Sequence, residues 1–495
     1  MRPTPDRRWT LVAVCVTTFM LLLDITIVVV ALPSIQRQLH ASLTGLQWVV
    51  DAYALALAAL ILTAGALSDR FGRRLLFSFG VVVFTLASLG CGVAWNIASL
   101  DIARGVQGLG GAALFATALA LIGHEYRGRE FYSAIAVWGA TIGAAVASGP
   151  LVGGILTDGL GWRWVFYVNI PVGCFALYVA LRRMDESRDE GAVRTDVAGL
   201  VTFAAALFLI VFGLLRGNSE GWTSALILGT IIGGFALLVV FVIVELRQER
   251  PMLDVSLFRR PAFLGVSLAT FAIASGMFSM FPYLSIYLQD VLGTSPLGAG
   301  LRFLPLTAFV FIVPLATRNI AQRAPAWLLA GVGLLLVSIA LLLMHGVSAS
   351  SHWTTLLPGF IVAGLGIGLA NPTLAAAALR VVDPARSGMA SGINNSFRLG
   401  GVAIGVAGVG AVLEHQVGKS LSANGYHGLA QAVSSSGTRV AHGNPKLAHA
   451  AAVAFSSGLN AALLVGCVVV FAGALSAFVL MHARAPVAAP AAEQT

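Results

Sequence analysis

Fourteen apolar runs, each about 20 residues or longer, follow one another along the 495-residue chain, most of them joined by short connections. A run of that length crosses a hydrocarbon core of roughly 30 Å as a helix. A bilayer admits only helices or closed barrels, because every backbone polar group there must find its partner within the protein. The approximate limits are 10–33, 46–68, 75–95, 99–122, 131–157, 162–182, 196–216, 223–246, 262–289, 296–317, 325–345, 353–379, 388–413 and 453–482. Only 10% of the residues are charged, against about 25% in soluble chains. The chain therefore reads as an all-α membrane protein with 14 transmembrane helices, consecutive helices running antiparallel.

The charges that remain sort by side. With the N-terminus in the cytoplasm, 21 of the 30 basic residues fall in cytoplasmic segments, among them Arg70, Arg73, Arg74, Arg182, Arg183, Arg247, Arg250, Arg259 and Arg260, and seven fall outside. Basic residues collect on the cytoplasmic side of membrane proteins, so both termini are expected there, in a cell (inner) membrane. The net charge of +9 belongs to these loops and is no nucleic-acid footprint. The first run is too long for a cleaved leader and lacks a small-x-small site, so the first helix is expected to stay. Cys15, Cys91, Cys174 and Cys467 all lie in apolar runs without metal-site spacing and read as packing residues.

Asp24 is the one charge in the run 10–33, near the middle of Leu21–Pro33 (LLLDITIVVVALP). An acid at that depth costs ~2.5–3.5 kcal/mol on insertion scales, so it is expected to face a protein interior or a wet cavity rather than lipid. Burial favours its neutral form and a nearby cation its charged form. A carboxyl group pulled both ways can load and unload a proton; the alternative is an aspartate locked permanently to one arginine. Arg104, in Leu100–Ala113 (LDIARGVQGLGGAA), is the cation matched to it in depth, and Gln107 can join them or line the substrate cavity. Gly105, Gly108, Gly110 and Gly111 make a close-packing helix face there. No strand precedes them, which excludes a dinucleotide loop, and no GxxxxGK[ST] sequence exists to bind a nucleotide. No cofactor or metal is expected. An enzyme is not indicated.

Two further stretches carry shape information. In Gly65–Leu76 (GALSDRFGRRLL), Gly65 allows close helix approach, Asp69 and Arg70 begin a tight turn, and Gly72 is expected to take a backbone state that other residues avoid; Arg73 and Arg74 follow. Such a turn can clip helix ends together by charge-assisted bonds. In Gly139–Leu156 (GATIGAAVASGPLVGGIL), Gly139 with Gly143 and Gly149 with Gly153 form two small-xxx-small pairs, and Pro150 removes a backbone donor. A bent helix with a smooth face suits a pivot.

Together these residues resemble the major facilitator superfamily. Gly65–Leu76 matches its signature loop and Gly139–Leu156 its antiporter motif. Asp24 within LDITIVVVALP, Trp48–Tyr53 (WVVDAY) and Trp162–Gly173 (WRWVFYVNIPVG) look like the fourteen-span drug:proton antiporters of the QacA/EmrB type. The resemblance implies two six-helix bundles, 1–182 and 251–482, around a central cavity. A linker and two inserted helices (183–250) join them, and a tail (483–495) follows. It implies rocking between two access states, with proton and substrate competing for one cavity. The corresponding loop of the second bundle, Pro314–Arg323 (PLATRNIAQR), lacks the glycines and the aspartate, so an asymmetric latch is expected.

The resemblance also associates an acid at Asp51 with cationic substrates; a helix N-terminal carboxylate is the plainer alternative. Tyr283 and Tyr287, with Met277, Phe281 and Gln289, form a stripe that either lines the cavity or simply packs. Asn394, Asn395 and Arg398 in SGINNSFRLGG need polar surroundings at mid-span and read as cavity or gate. The segment 414–452 is too polar for the bilayer and is expected to be a poorly ordered outside loop, with His415, His427, His442 and His449 solvated.

The function these features point to is proton-driven export of amphipathic drugs or toxic compounds. Dedicated export of one endogenous metabolite, such as an antibiotic, siderophore or lipid-like product, is the alternative. A non-transporting receptor or scaffold would need a cytoplasmic signalling region that the sequence lacks. The expected partners are a small-molecule substrate, protons and the lipid bilayer. A periplasmic adaptor is not indicated, and a monomer suffices.

Overall fold

The computed structural model describes residues 7–41, 43–188, 197–248, 255–380, 382, 387–441 and 443–482. The tail 483–495, most of the charged linker and His442 lie outside the described residues. Among the described residues seventeen α-helices run in order: α1 (Arg7–Leu39), α2 (Leu43–Phe71), α3 (Arg73–Gly92), α4 (Ile97–Glu125), α5 (Gly128–Gly159), α6 (Trp164–Tyr167), α7 (Asn169–Arg183), α8 (Val197–Glu220), α9 (Ala225–Arg247), α10 (Pro261–Gly276), α11 (Phe281–Ile286), α12 (Pro296–Arg323), α13 (Ala326–Met344), α14 (Leu357–Arg380), α15 (Ser387–Ala423), α16 (Ala430–Ser436) and α17 (Pro445–Leu480). Local chemistry sets several starts. Asn96 and Ser99 cap α4 reciprocally, and Ser224, Ser295 and Asn444 accept backbone N–H groups at the first turns of α9, α12 and α17.

Among the described residues, twelve helical stretches are long and apolar enough to cross a membrane, so the protein is a multi-pass membrane protein. That count differs from the fourteen expected. The expected spans 131–157 and 196–216, on α5 and α8, are not among the twelve; a shorter apolar helix, Ala198–Leu214, lies within α8.

One buried cluster centres on α1–α7 and takes in Ala375, Ala376 and Leu379 of α14 and Met389, Ala390 and Ile393 of α15. A second centres on α10–α17. The two sets of helices meet along α2 with α15 and α5 with α12. The inserted pair packs on itself, and α8 also touches α2 and α15, where Val211 joins Leu55 and Ala58.

The segment 414–452 departs from expectation. It is largely helical: α15 continues to Ala423, α16 follows, and α17 begins at Pro445. Its order comes from contacts that composition hides. The Arg439 guanidinium grips both oxygens of Asp290, at 2.7 and 3.0 Å, and Thr438 donates to the Asp290 carbonyl. Val433 and Leu421 are buried with the second core. The expected ninth span is likewise not one regular helix. It tightens at Phe278–Met280 and widens over Tyr287–Val291.

Candidate functional site

Asp24 is 0% exposed, and each of its oxygens is held. Arg104 Nη1 donates to Oδ2 at 2.5 Å, while Gln107 Nε2 and Asn169 Nδ2 donate to Oδ1 at 3.0 and 2.9 Å. The cation is held just as fully. Arg104 Nε donates to the Val49 carbonyl at 2.8 Å and Nη1 also reaches Gln107 Oε1 at 2.7 Å. The guanidinium lies 4.3 Å from the Tyr53 ring centroid, a cation–π geometry. Ser88 Oγ accepts from both amides, at 2.7 and 3.0 Å. Five helices thus converge on one ion pair: α1 brings the acid, α4 the arginine and glutamine, α2 a carbonyl and a ring, α3 a hydroxyl and α7 an amide.

This differs from a shared cavity for proton and cargo. All of these partners lie on α1–α7, and the pair sits inside that set of helices, not in a space between the two sets. Gln107, expected at the substrate cavity, belongs to the Asp24 network. The reason is geometric: Gln107 is one turn from Arg104, on the face that packs against α1 and α3.

The turn after α2 is built as its sequence requires. Gly72 has φ 116° and ψ 136°, in a region that essentially only glycine enters. Asp69 Oδ1 accepts from Arg73 Nη2 at 2.9 Å and Nε at 3.2 Å, and both residues are buried. Its other oxygen accepts from the Met389 backbone N–H at 2.9 Å, which ties the end of α2 to the first turn of α15. Gly65 supplies a carbonyl to the Ser68 hydroxyl at 2.7 Å, and the Arg70 guanidinium lies over the Phe71 ring. Glu186, at the start of the linker, was not among the sequence candidates. Its carboxylate accepts the N–H groups of Arg74 and Leu75, both at 3.0 Å, and so caps α3.

The paired glycines of α5 face two different neighbours. A Cβ at Gly143 would stand 2.7 Å from Val310 Cγ1 of α12, and one at Gly139 would meet Pro372 of α14. A Cβ at Gly149 would overlap Thr26, and one at Gly153 would stand 3.1 Å from the Ile27 carbonyl, both on α1. The helix continues through Pro150. It therefore touches the helix that carries Asp24 at one end and the second set of helices at the other.

The family model described as Major Facilitator Superfamily matches residues 14–406. The chain belongs to the major facilitator superfamily. It is 39% identical over 415 residues to the multidrug resistance protein Stp of Mycobacterium tuberculosis (strain ATCC 25618 / H37Rv), covering 82% of this chain and 75% of that protein. The puromycin resistance protein pur8 of Streptomyces alboniger is 36% identical over 469 residues, 92% of this chain and 90% of that one. The tetracenomycin C resistance and export protein of Streptomyces glaucescens is 34% identical over 426 residues, 84% and 77%. Among solved structures, the human organic anion transporter MFSD10 (TETRAN) superposes with a TM-score of 0.63 at 14% identity, covering 96% of this chain and all of that one; at that identity the likeness shows the fold alone. This is a transporter family, and the chain is not an enzyme.

The remaining candidates of this major facilitator protein fall in three places. Asp51 is half-buried on α2 and feels the charge of Arg216 on α8, whose guanidinium also bonds Glu220 at 3.0 Å. It stands at the α2–α8 contact. Tyr283 and Tyr287 are buried in the core of the second set of helices, their hydroxyls donating to the Val406 and Ser348 carbonyls at 2.9 and 2.8 Å. Met277 is buried in the same core, while Phe281 and Gln289 are half-buried. Asn394, Asn395 and Arg398 are buried on α15, where Asn395 Nδ2 reaches the Phe115 carbonyl of α4 at 3.4 Å.

Proposed function

We propose that the protein is a proton-coupled antiporter that exports amphipathic drugs or toxic small molecules across the cytoplasmic membrane by alternating access. The cargo class rests on relatives named for multidrug, puromycin and tetracenomycin C resistance. The observation that carries the coupling is the Asp24–Arg104 pair at zero and one per cent exposure. A buried ion pair is weak evidence for stability, since apolar residues of similar volume do as well, and an ionisable residue inside a membrane is a functional group by default. The surrounding amides both donate and accept, so the acid stays satisfied after it takes a proton. Protonation removes the charge that holds Arg104, and α1 then loosens from α4. Helix α5, wedged between α1 and α12, transmits that change to the other set of helices.

The chain is of the fourteen-span QacA/EmrB type, with α5 and α8 crossing as well. Both termini are cytoplasmic, and bundles 1–182 and 251–482 rock about α5. The Asp69–Met389 bond latches the cytoplasmic side. The protein acts as a monomer on a small molecule and protons in the lipid bilayer, with no cofactor beyond the proton gradient. In everted vesicles, Asp24→Asn is expected to abolish gradient-driven dye accumulation while dye–dye exchange without a gradient persists. Gradient-driven accumulation at the wild-type rate removes the coupling role.

A second reading, dedicated export of one endogenous metabolite, is favoured by relatives named for a single compound, among them the probable actinorhodin transporter of Streptomyces coelicolor. A resistance panel on a deletion strain, with metabolite profiling of its medium, separates the two. One missing metabolite with an unchanged drug panel selects the second.

A further inference from the structure

Arg398 is a second mid-span arginine, and it is treated differently from every paired one. It is 8% exposed, and none of the ion pairs among the described residues includes it. Its Nε and Nη2 are buried without a hydrogen-bond partner. These are the two nitrogens of one guanidinium edge, the fork that matches a carboxylate. The same edge is filled elsewhere in this molecule: Arg439 uses Nε and Nη2 on the two oxygens of Asp290, and Arg73 uses them on Asp69.

A neighbouring donor is also idle. Asn394 precedes Arg398 by one helical turn, so the two share a side of α15. Its Oδ1 accepts from the Thr270 hydroxyl of α10 at 3.1 Å, which leaves Nδ2 buried and unsatisfied. The direction of this side is set by its flanks. Asn395 reaches α4 through the Phe115 carbonyl, and Gly401 faces Phe271 and Ala274 of α10. Arg398 lies between those two directions, at the seam where the two sets of helices meet. Three buried N–H-bearing nitrogens there lack acceptors, and leaving such donors unpaired is costly. No acidic residue occurs anywhere else in α15 until Glu414.

We propose that the open edge of Arg398, helped by the Asn394 amide, receives the carboxylate of the exported compound, so that the cargo is an organic anion on an apolar body. This rests on the export reading above and specifies its substrate class. A carboxylate supplies two oxygens in the spacing of the fork.

The test uses the full-length protein in phosphatidylcholine nanodiscs and two dyes of one ring system: carboxyfluorescein, and an esterified rhodamine that is cationic. Arg398→Gln is expected to weaken carboxyfluorescein binding about 10- to 100-fold, the span of one to two charge-assisted bonds, and to leave rhodamine binding at its wild-type value, which also shows that the variant is folded. Arg398→Lys keeps the charge without the fork, and its carboxyfluorescein affinity is expected to fall between the two. Equal effects on both dyes, or none on carboxyfluorescein, overturn the proposal. Loss of wild-type carboxyfluorescein binding when phosphatidylglycerol is added assigns the site to a lipid phosphate and overturns it too. Gradient-driven dye movement in vesicles bearing the wild type reports separately on export. Rhodamine export by a protein whose Arg398 variants treat both dyes alike sinks the anion inference alone, and movement of neither dye sinks the export reading.

Discussion

Arg104 and Arg398 are the same side chain buried in two sets of helices, and the fold treats them oppositely. Arg104 has a carboxylate, a carbonyl, an amide oxygen and an aromatic face around it. Arg398 has a whole edge of its guanidinium idle. The first set of helices closes its charge into a network complete without a ligand. The second leaves donors that only something from outside the chain, or another state of it, can satisfy. A self-contained pair suits a switch that answers to protons, and an open fork suits recognition.

The largest expected effect breaks or confirms that contrast directly. Arg104→Leu strands the Asp24 carboxylate at full burial and is expected to cost about 3–5 kcal/mol, as for other broken buried pairs. The readout is a lowered unfolding midpoint in detergent. Arg398→Leu removes a charge that has no ion-pair partner, so its midpoint is expected to stay level or rise. Equal losses in the two variants remove the distinction. Asp24→Leu combined with Arg104→Leu sharpens it further. That double variant is expected to regain most of the lost stability and yet show no gradient-driven dye export, separating the function of the pair from its contribution to folding.

The two sets of helices also differ in their loops. Gly72→Ala forces a Cβ into a φ of 116° and onto the Glu186 carboxylate. The expected cost is about 1–3 kcal/mol, with faster hydrogen exchange at the Arg74 and Leu75 amides that Glu186 holds. The corresponding stretch Pro314–Arg323 has no glycine at risk. Ala321→Gly there is expected to cost about 1 kcal/mol at most and to leave those two amides unchanged; a matching change in their exchange ties the two loops together. The smallest effect belongs to the second core. Tyr287→Phe leaves the Ser348 carbonyl without its donor, an expected loss of about 1 kcal/mol, while dye export stays at the wild-type rate. Lost export at intact stability would return this tyrosine to the cavity.

Much of this is legible in the residues alone. A lone acid and a lone arginine at matched depth announce a pair, because neither tolerates lipid alone. The positive φ at Gly72 was legible from a glycine inside a charged two-helix turn. Asn169 and Ser88 were missed, although a lone amide inside an apolar run such as Trp162–Gly173 is a usable signal. The roles of Tyr283 and Tyr287 stayed open because an aromatic stripe looks the same whether it lines a cavity or fills a core. Segment 414–452 misled because its polarity said nothing of the Asp290–Arg439 fork that anchors it.

Residue order alone was enough for the membrane, the helices and which charges needed partners. Those follow from local quantities: the length of an apolar run, the spacing of small residues, the cost of a charge in hydrocarbon. Only the tertiary structure decided where each polar group found its partner. It drew Asn169 into the Asp24 network, put Glu186 on the first turn of α3, and left Arg398 open. Hydrogen bonds and ion pairs act over a few ångströms between residues far apart in the chain, and the packing of whole helices sets those distances.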